Sequence, residues 1–375
     1  MADPKSQPRF RVADIVRQHG ARFRARDAGL NYVQTRALND IERCRTAVLG
    51  GHVAVYACGH EVTAYNSCRN RMCTRCLAHL AYEWVEQKEQ DLLPISYFHV
   101  VFTLPPALLD IPVIALAALY EMLFAASAGT LLRFGEENLS GQLGFLSVLH
   151  TWGQKLTLHP HIHCVVAGGA FNADKGTWTP SRERFLFSVR AMSKVFRGKM
   201  LALLRRRGLL GVEREKLEAI IAKAAQADWV VYAKPPFGGP AQVLRYLARY
   251  THRTAIGDHR IVDINDDTVS FSYKDYRDHG ARKVMTLDGG EWLRRFLQHA
   301  LPRGFTRLRS YGFLANTHKK KKLAAIRAIL KVDAPAPPAE DDDDDEPRCC
   351  PICGIGALLA HRLVAPIPVR GVDTS

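Results

Sequence analysis

The chain has 375 residues, 47% of them hydrophobic, nine cysteines and a formal net charge of +15. That length allows two or three domains with full cores, and the hydrophobic share is ordinary for a globular protein. Charge is uneven: residues 340–346 hold seven acidic side chains, which leaves residues 1–339 with 49 basic against 29 acidic groups, a net of +20 that calls for a polyanionic partner.

The opening stretch MADPKSQPRFRVADIVRQHG has no apolar signal core. With an odd cysteine count, this argues against a secreted disulfide framework and for metal ligation in a reducing cytoplasm. Residues 1–40 read as helical and arginine-rich, with Arg17, Arg22, Arg24 and Arg26. Residues 41–80 form a cysteine-rich module, and 81–93 a short helix leading out of it. Tyr97 to Thr103 is aromatic and β-branched and stops before Pro105-Pro106, so a strand is expected. The apolar run Ile111–Leu132 is long enough to cross a bilayer. Glu121 in its middle and Pro112, Ser127 and Gly129 favour a buried core helix over roughly 111–135.

Phe145–Leu149 and Leu156–Val166 read as a strand pair around Trp152-Gly153, the second strand ending at Gly168-Gly169. Residues 188–206 and 212–226 look helical, and 229–233 forms a short strand. Phe237-Gly238-Gly239-Pro240 is a turn that opens a further helix. Residues 260–264 and 268–273 alternate around Asp266-Asp267 as a hairpin does. Residues 290–301 and 318–331 are expected to be helical. Ala334 to Pro338 and the acidic run behind it read as a disordered linker.

Three clusters carry chemistry. Cys44, Cys58, Cys68, Cys73 and Cys76 crowd into 33 residues, and Cys73-x-x-Cys76 has the spacing of two thiolates sharing one zinc. Five thiols exceed the four a structural site needs. Cys58, Cys68, Cys73 and Cys76 are favoured, with Cys44 next and His60 a possible replacement. Arg69, Arg71 and Arg75 lie between these ligands, suited to phosphates. Cys350-x-x-Cys353 is a second pair with too few ligands of its own.

In Leu158-His159-Pro160-His161-Ile162-His163-Cys164, a strand would turn His161 and His163 to one face and Ile162 to the core. A divalent cation is the expected ligand, Mg²⁺ or the better nitrogen-matched Mn²⁺. His159, Gln154, His150 and His99 are candidates for the third ligand, with His159 preferred. Downstream, Tyr246 and Tyr250 are four apart, so on a helix their phenols share a face. Arg245, Arg249 and Arg253 repeat beside them. A histidine-held metal with paired tyrosines points to phosphodiester chemistry on DNA.

The motifs LGGHV (49–53), CGHE (58–61), AYNSCRNRMCTRC (64–76), YFHVVFTLP (97–105), LHPHIHCVV (158–166), PPFGGP (235–240), YLARYTHRTAI (246–256), YKDYRDHG (273–280) and YGFLAN (311–316) occur in order. Together they resemble the two-tyrosine HUH transposases of rolling-circle insertion sequences. The resemblance implies an α+β protein. A zinc-binding module would precede an HUH endonuclease domain whose central antiparallel sheet is flanked by helices. It implies metal at His161 and His163, nucleophiles at Tyr246 and Tyr250, and structural Zn²⁺. It also implies cleavage and joining of single-stranded DNA at insertion-sequence ends. Val55 and Met72 stand where many members have cysteine and histidine.

The organisation expected is an arm and zinc module over 1–93, the endonuclease domain over 94–285, a basic helical region over 286–333 and a flexible tail over 334–375. A cytoplasmic, nucleoid-associated protein is expected, with no membrane and no nucleotide cofactor. The oligomeric state is not legible. The rivals are a plasmid replication initiator or relaxase-like nickase and a non-catalytic, transposase-derived DNA-binding protein.

Overall fold

The computed structural model describes residues 8–26, 29–77, 91–234, 254–333 and 349–367. The protein is α+β, every strand pairing among the described residues is antiparallel, and the chain forms two compact units. One gathers residues 1–80, 256–300 and 337–375. The other holds 81–255 and 301–336. The interval 94–285 expected to form one domain is therefore divided after residue 255.

In the first unit, helices α1 (Val12–Arg26) and α2 (Tyr32–Arg43) fill the expected amino-terminal helical region. Asn31 caps α2: its side chain accepts from the Gln34 amide while the Gln34 side chain accepts from the Asn31 amide. The cysteine module contains two strands that its sequence did not announce, β1 (Gly51–Tyr56) and β2 (Glu61–Tyr65).

In the second unit, strands β3 (Tyr97–Thr103), β4 (Gln142–Trp152) and β5 (Leu158–Asn172) form the centre of the sheet. The expected stop at Gly168-Gly169 is overrun, because Gly169 to Asn172 gain a partner in β6 (Thr177–Pro180). A Cβ on Gly169 would lie 2.3 Å from the Trp178 ring, so these glycines serve close packing within the strand. Helix α3 (Leu116–Leu139) is the bilayer-length apolar run. It is a core helix, with Leu119, Leu123, Phe124, Ala126 and Leu131 all at 0% exposure. Its Glu121 forms a two-pronged ion pair with Arg309, whose guanidinium lies 4.1 Å from the Phe124 ring. Helices α4 (Val189–Arg207) and α5 (Arg214–Gln226) match their expected spans. Strand β7 (Val231–Lys234) closes one edge on β3.

The chain then completes the first unit with β8 (Ile261–Ile264) and β9 (Thr268–Asp275), the expected hairpin, and with β10 (Ala281–Asp288), which the sequence did not announce. Asp288 caps helix α6 (Gly289–Leu297), which packs against α1. The second unit resumes with β11 (Leu308–Gly312) on β4 and helix α7 (Lys319–Leu330). Its sheet order is β11-β4-β5-β3-β7, with β6 paired to the far end of β5. In the tail, residues 349–367 are ordered: β12 (Leu358–Val364) pairs with β1, which corrects the expectation of a flexible tail throughout.

The period of two along β5 decides what each face of the large sheet does. Ile162, Cys164 and Val166 point into the core with α3, α4 and α5. Val165 and Ala167 face the other way, into a smaller cluster with Leu323 and Ile326 of α7. His161 and His163 share that second face.

Candidate metal centre and zinc-binding module

The β4–β5 register sets His150 directly opposite His161, so both imidazoles stand on the same face. His150, His161 and His163 offer ring nitrogens within 4.8 Å of one another. His150 and His163 are buried, at 3% and 8% exposure. Trp152 stacks on His150 at 4.5 Å and fixes its ring. The third member is thus His150 and not the preferred His159, whose exposed side chain contributes no atom to the trio. His159 acts instead through its backbone. Its carbonyl accepts a 2.7 Å hydrogen bond from Nδ1 of His161. An amide oxygen can only accept, so Nδ1 carries the proton and Nε2 of His161 presents a lone pair.

His99, opposite Val165 on β3, supports the trio from the next strand. Its Nε2 lies 2.8 Å from Nδ1 of His163, with the rings stacked. When His163 donates this bond, its buried Nε2 is left as a lone pair. Burial holds His161 down to about 4 and His163 well below the usual imidazole value, with neighbouring histidines adding to the depression of His163. His99 is also held near 4, by burial and then by Lys234, its neighbour on β7. Neutral imidazoles with oriented tautomers are what cation ligation requires, so the donor set fits a divalent metal.

Four of the five clustered cysteines meet: Cys44, Cys68, Cys73 and Cys76. Sulfur separations are 3.7 Å for Cys44–Cys76, 3.6 Å for Cys68–Cys76 and 3.6 Å for Cys44–Cys73. A tetrahedron with ligands ~2.3 Å from its centre has edges of about 3.8 Å, so the thiols stand at zinc spacing. Their mutual hydrogen bonds hold the Cys44 thiol low and push that of Cys68 up. Cys58 is the correction here. It lies across the β1–β2 turn, beside His60 and apart from the other four. Cys44 takes its place because the end of α2 brings it against the Cys73–Cys76 turn.

Arg69 and Arg71 are exposed and Arg75 is half-buried. Burial and the charges of Arg11 and Arg45 lower the Arg75 guanidinium from its ordinary value. Tyr246, Tyr250, Arg245, Arg249 and Arg253 lie outside the described residues. Lys234 ends β7 twelve positions before Tyr246.

Comparison with known proteins gives a family. The model described as "Putative transposase" matches residues 144–322, and the "Transposase zinc-binding domain" model matches 15–104. The chain is 44% identical over 391 residues to "Putative transposase y4qJ" of Sinorhizobium fredii, covering 97% of this chain and 98% of that protein. It is 26% identical over 371 residues to the "Transposase for insertion sequence element IS801" of Pseudomonas savastanoi pv. phaseolicola, covering 92% and 88%. A conjugative relaxase, TrwC, solved in complex with oriT DNA, matches at TM-score 0.25 and 14% identity over 63% of this chain and 73% of that one, too distant to carry an argument.

The two domains and the full-length relatives define an insertion-sequence transposase. The chain belongs to the transposase family with the IS91-type zinc-binding domain, of which the IS801 protein is a relative.

Proposed function

We propose that this transposase cleaves and rejoins single-stranded DNA at the ends of its element through a 5′-phosphotyrosine intermediate, in rolling-circle fashion. The observation that carries the reading is the trio His150, His161 and His163, with the His161 tautomer fixed by the His159 carbonyl. Surface histidines have no need of such support, whereas a cation site does.

The trio would hold Mg²⁺ or Mn²⁺, which polarises the scissile phosphate and offsets the charge that develops on it. The nucleophile is a phenol of Tyr246 or Tyr250. A phenol titrates near pH ~10, so its proton must be removed or its charge offset by a neighbouring cation. The phenolic oxygen bonds to phosphorus, the bond to the 3′ oxygen breaks, and that oxygen leaves as a 3′-hydroxyl carrying a proton. The ester retains the energy of the cut bond, so a second 3′-hydroxyl can reverse the step without ATP. Two tyrosines would allow two DNA ends to be handled in turn.

Arg245, Arg249 and Arg253 would grip flanking phosphates, and Arg69, Arg71 and Arg75 would place the zinc module on the element's ends. The decisive experiment uses labelled single-stranded terminal DNA with Mn²⁺ or Mg²⁺ on denaturing gels. A covalent protein–DNA band is expected for the wild type, lost in the Tyr246→Phe/Tyr250→Phe double variant and strongly reduced in His161→Ala. Undiminished cleavage without either phenol would mean attack by water and would overturn the proposal.

A further inference from the structure

Within the first unit, four residues far apart in the sequence meet, two of them inside the zinc-domain match over 15–104 and two well beyond it. We propose that Cys58, His60, Cys350 and Cys353 form a second zinc site, separate from the Cys44 site, which clasps the carboxy-terminal strand β12 to β1.

The donor atoms of these four residues all lie within 4.8 Å of one another. Nδ1 of His60 is 3.3 Å from the Cys58 sulfur and 3.7 Å from the Cys350 sulfur. Both halves have the backbone shape of a metal knuckle. Gly59 follows Cys58 with φ +82°, and Gly354 follows Cys353 with φ +73°, the left-handed turn that glycine adopts at least cost. These turns aim amides at sulfur: that of His60 at Cys58, and those of Ile355 and Gly356 at Cys353. The tail loop closes on itself through Cys350 N–H to the Gly356 carbonyl and Gly354 N–H to the Cys350 carbonyl, each 2.7 Å. It docks through the Ala57 amide, which donates to the Ala357 carbonyl at 2.9 Å. A Cβ on Gly356 would lie 2.5 Å from the Cys58 sulfur, so the two knuckles are in direct contact.

Three sulfurs and one imidazole are a soft tetrahedral set, which selects zinc over the hard cations suited to oxygen. The need for a clasp is visible in the packing. Among the described residues, the apolar cluster under β12 buries only Ala54, Tyr56 and Cys350, with Val62 and Leu358 beside them. Leu359 and Leu363 on β12 are 66% and 87% exposed. So little burial does not hold a terminal strand on a sheet edge, and small modules of this kind take their stability from metal. Folding of the tail would thus depend on metal loading, and without metal the edge of β1 would be uncovered.

The test counts zinc in the full-length protein by native mass spectrometry and follows amide exchange of residues 358–364. The wild type should carry two zinc ions per chain. Cys350→Ser/Cys353→Ser should carry one, with exchange over 358–364 at least tenfold faster and α3 unchanged. Cys58→Ser, altered at the other end of the chain, should show the same zinc loss and the same unprotected strand. Full protection of α3 serves as the folding control for both variants. One zinc in the wild type, two in either variant, or unchanged protection of 358–364 after loss of a zinc would overturn the clasp.

Discussion

At the level of single residues, the trio and its supports make separable predictions. His150→Ala should lose Mn²⁺ affinity as severely as His161→Ala in calorimetric titration. His159→Ala should leave affinity within a few-fold, because its side chain lies outside the trio and its bond to His161 comes from the backbone carbonyl. Removing a partner that orients a ligand typically lowers metal affinity ~10- to 100-fold, and His99→Ala should fall in that range through loss of its bond to His163. His161 and His163 were legible because a period of two with an apolar residue between them needs no tertiary knowledge. His150 was one of four candidates but not the preferred one, because centring the turn on Trp152-Gly153 misregisters the hairpin. The true turn closes between Gly153 and Thr157, with Leu156 at φ +59°, and only this register sets His150 opposite His161. Cys44 and Cys58 were exchanged in importance for a like reason, since spacing along the chain does not reveal which end of α2 a knuckle faces.

Among the elements, those with strong local periodicity were legible: α3, α4, α5, α7, β3 and the β8–β9 hairpin. The missed strands β1, β2, β6, β10, β11 and β12 are short or exposed and owe their conformation to a partner strand rather than to propensity. Gly312 shows the dependence at the end of β11. It has φ +65°, and an added Cβ would collide with the Leu143 carbonyl on β4. Gly312→Ala should therefore cost about 3 kcal/mol or more by denaturant unfolding. Helix α6 allows a test of pH dependence. Hydrogen bonds from Arg294 and then Arg295 hold Glu291 at about 2. A depressed carboxylate stabilises above its unfolded value near ~4.3, and that contribution fades as pH falls through the folded value. Because the arginines are partly in solvent, the effect should be under about 1 kcal/mol. Glu291→Gln should lower Tm slightly at pH 7, and the difference from wild type should close towards pH 2.

For the molecule as a whole, charge distribution and chemistry are read at different ranges. The basic excess of residues 1–339 attracts any polyanion, and the seven acidic residues at 340–346 carry the opposite sign. Deleting 340–346 should tighten binding to unrelated single-stranded DNA several-fold at low salt, with the gain shrinking as ionic strength rises in anisotropy titrations. In the proposed function, specific chemistry depends instead on the histidine face of the large sheet and on Tyr246, twelve positions after the end of β7 in the sequence. The most direct measurement is mass spectrometry of the protein after incubation with single-stranded terminal DNA and Mn²⁺, followed by nuclease and protease digestion. The account requires a peptide in which Tyr246 or Tyr250 bears a 5′-linked nucleotide. Cut DNA with free 5′-phosphate ends and no modified tyrosine peptide would contradict it.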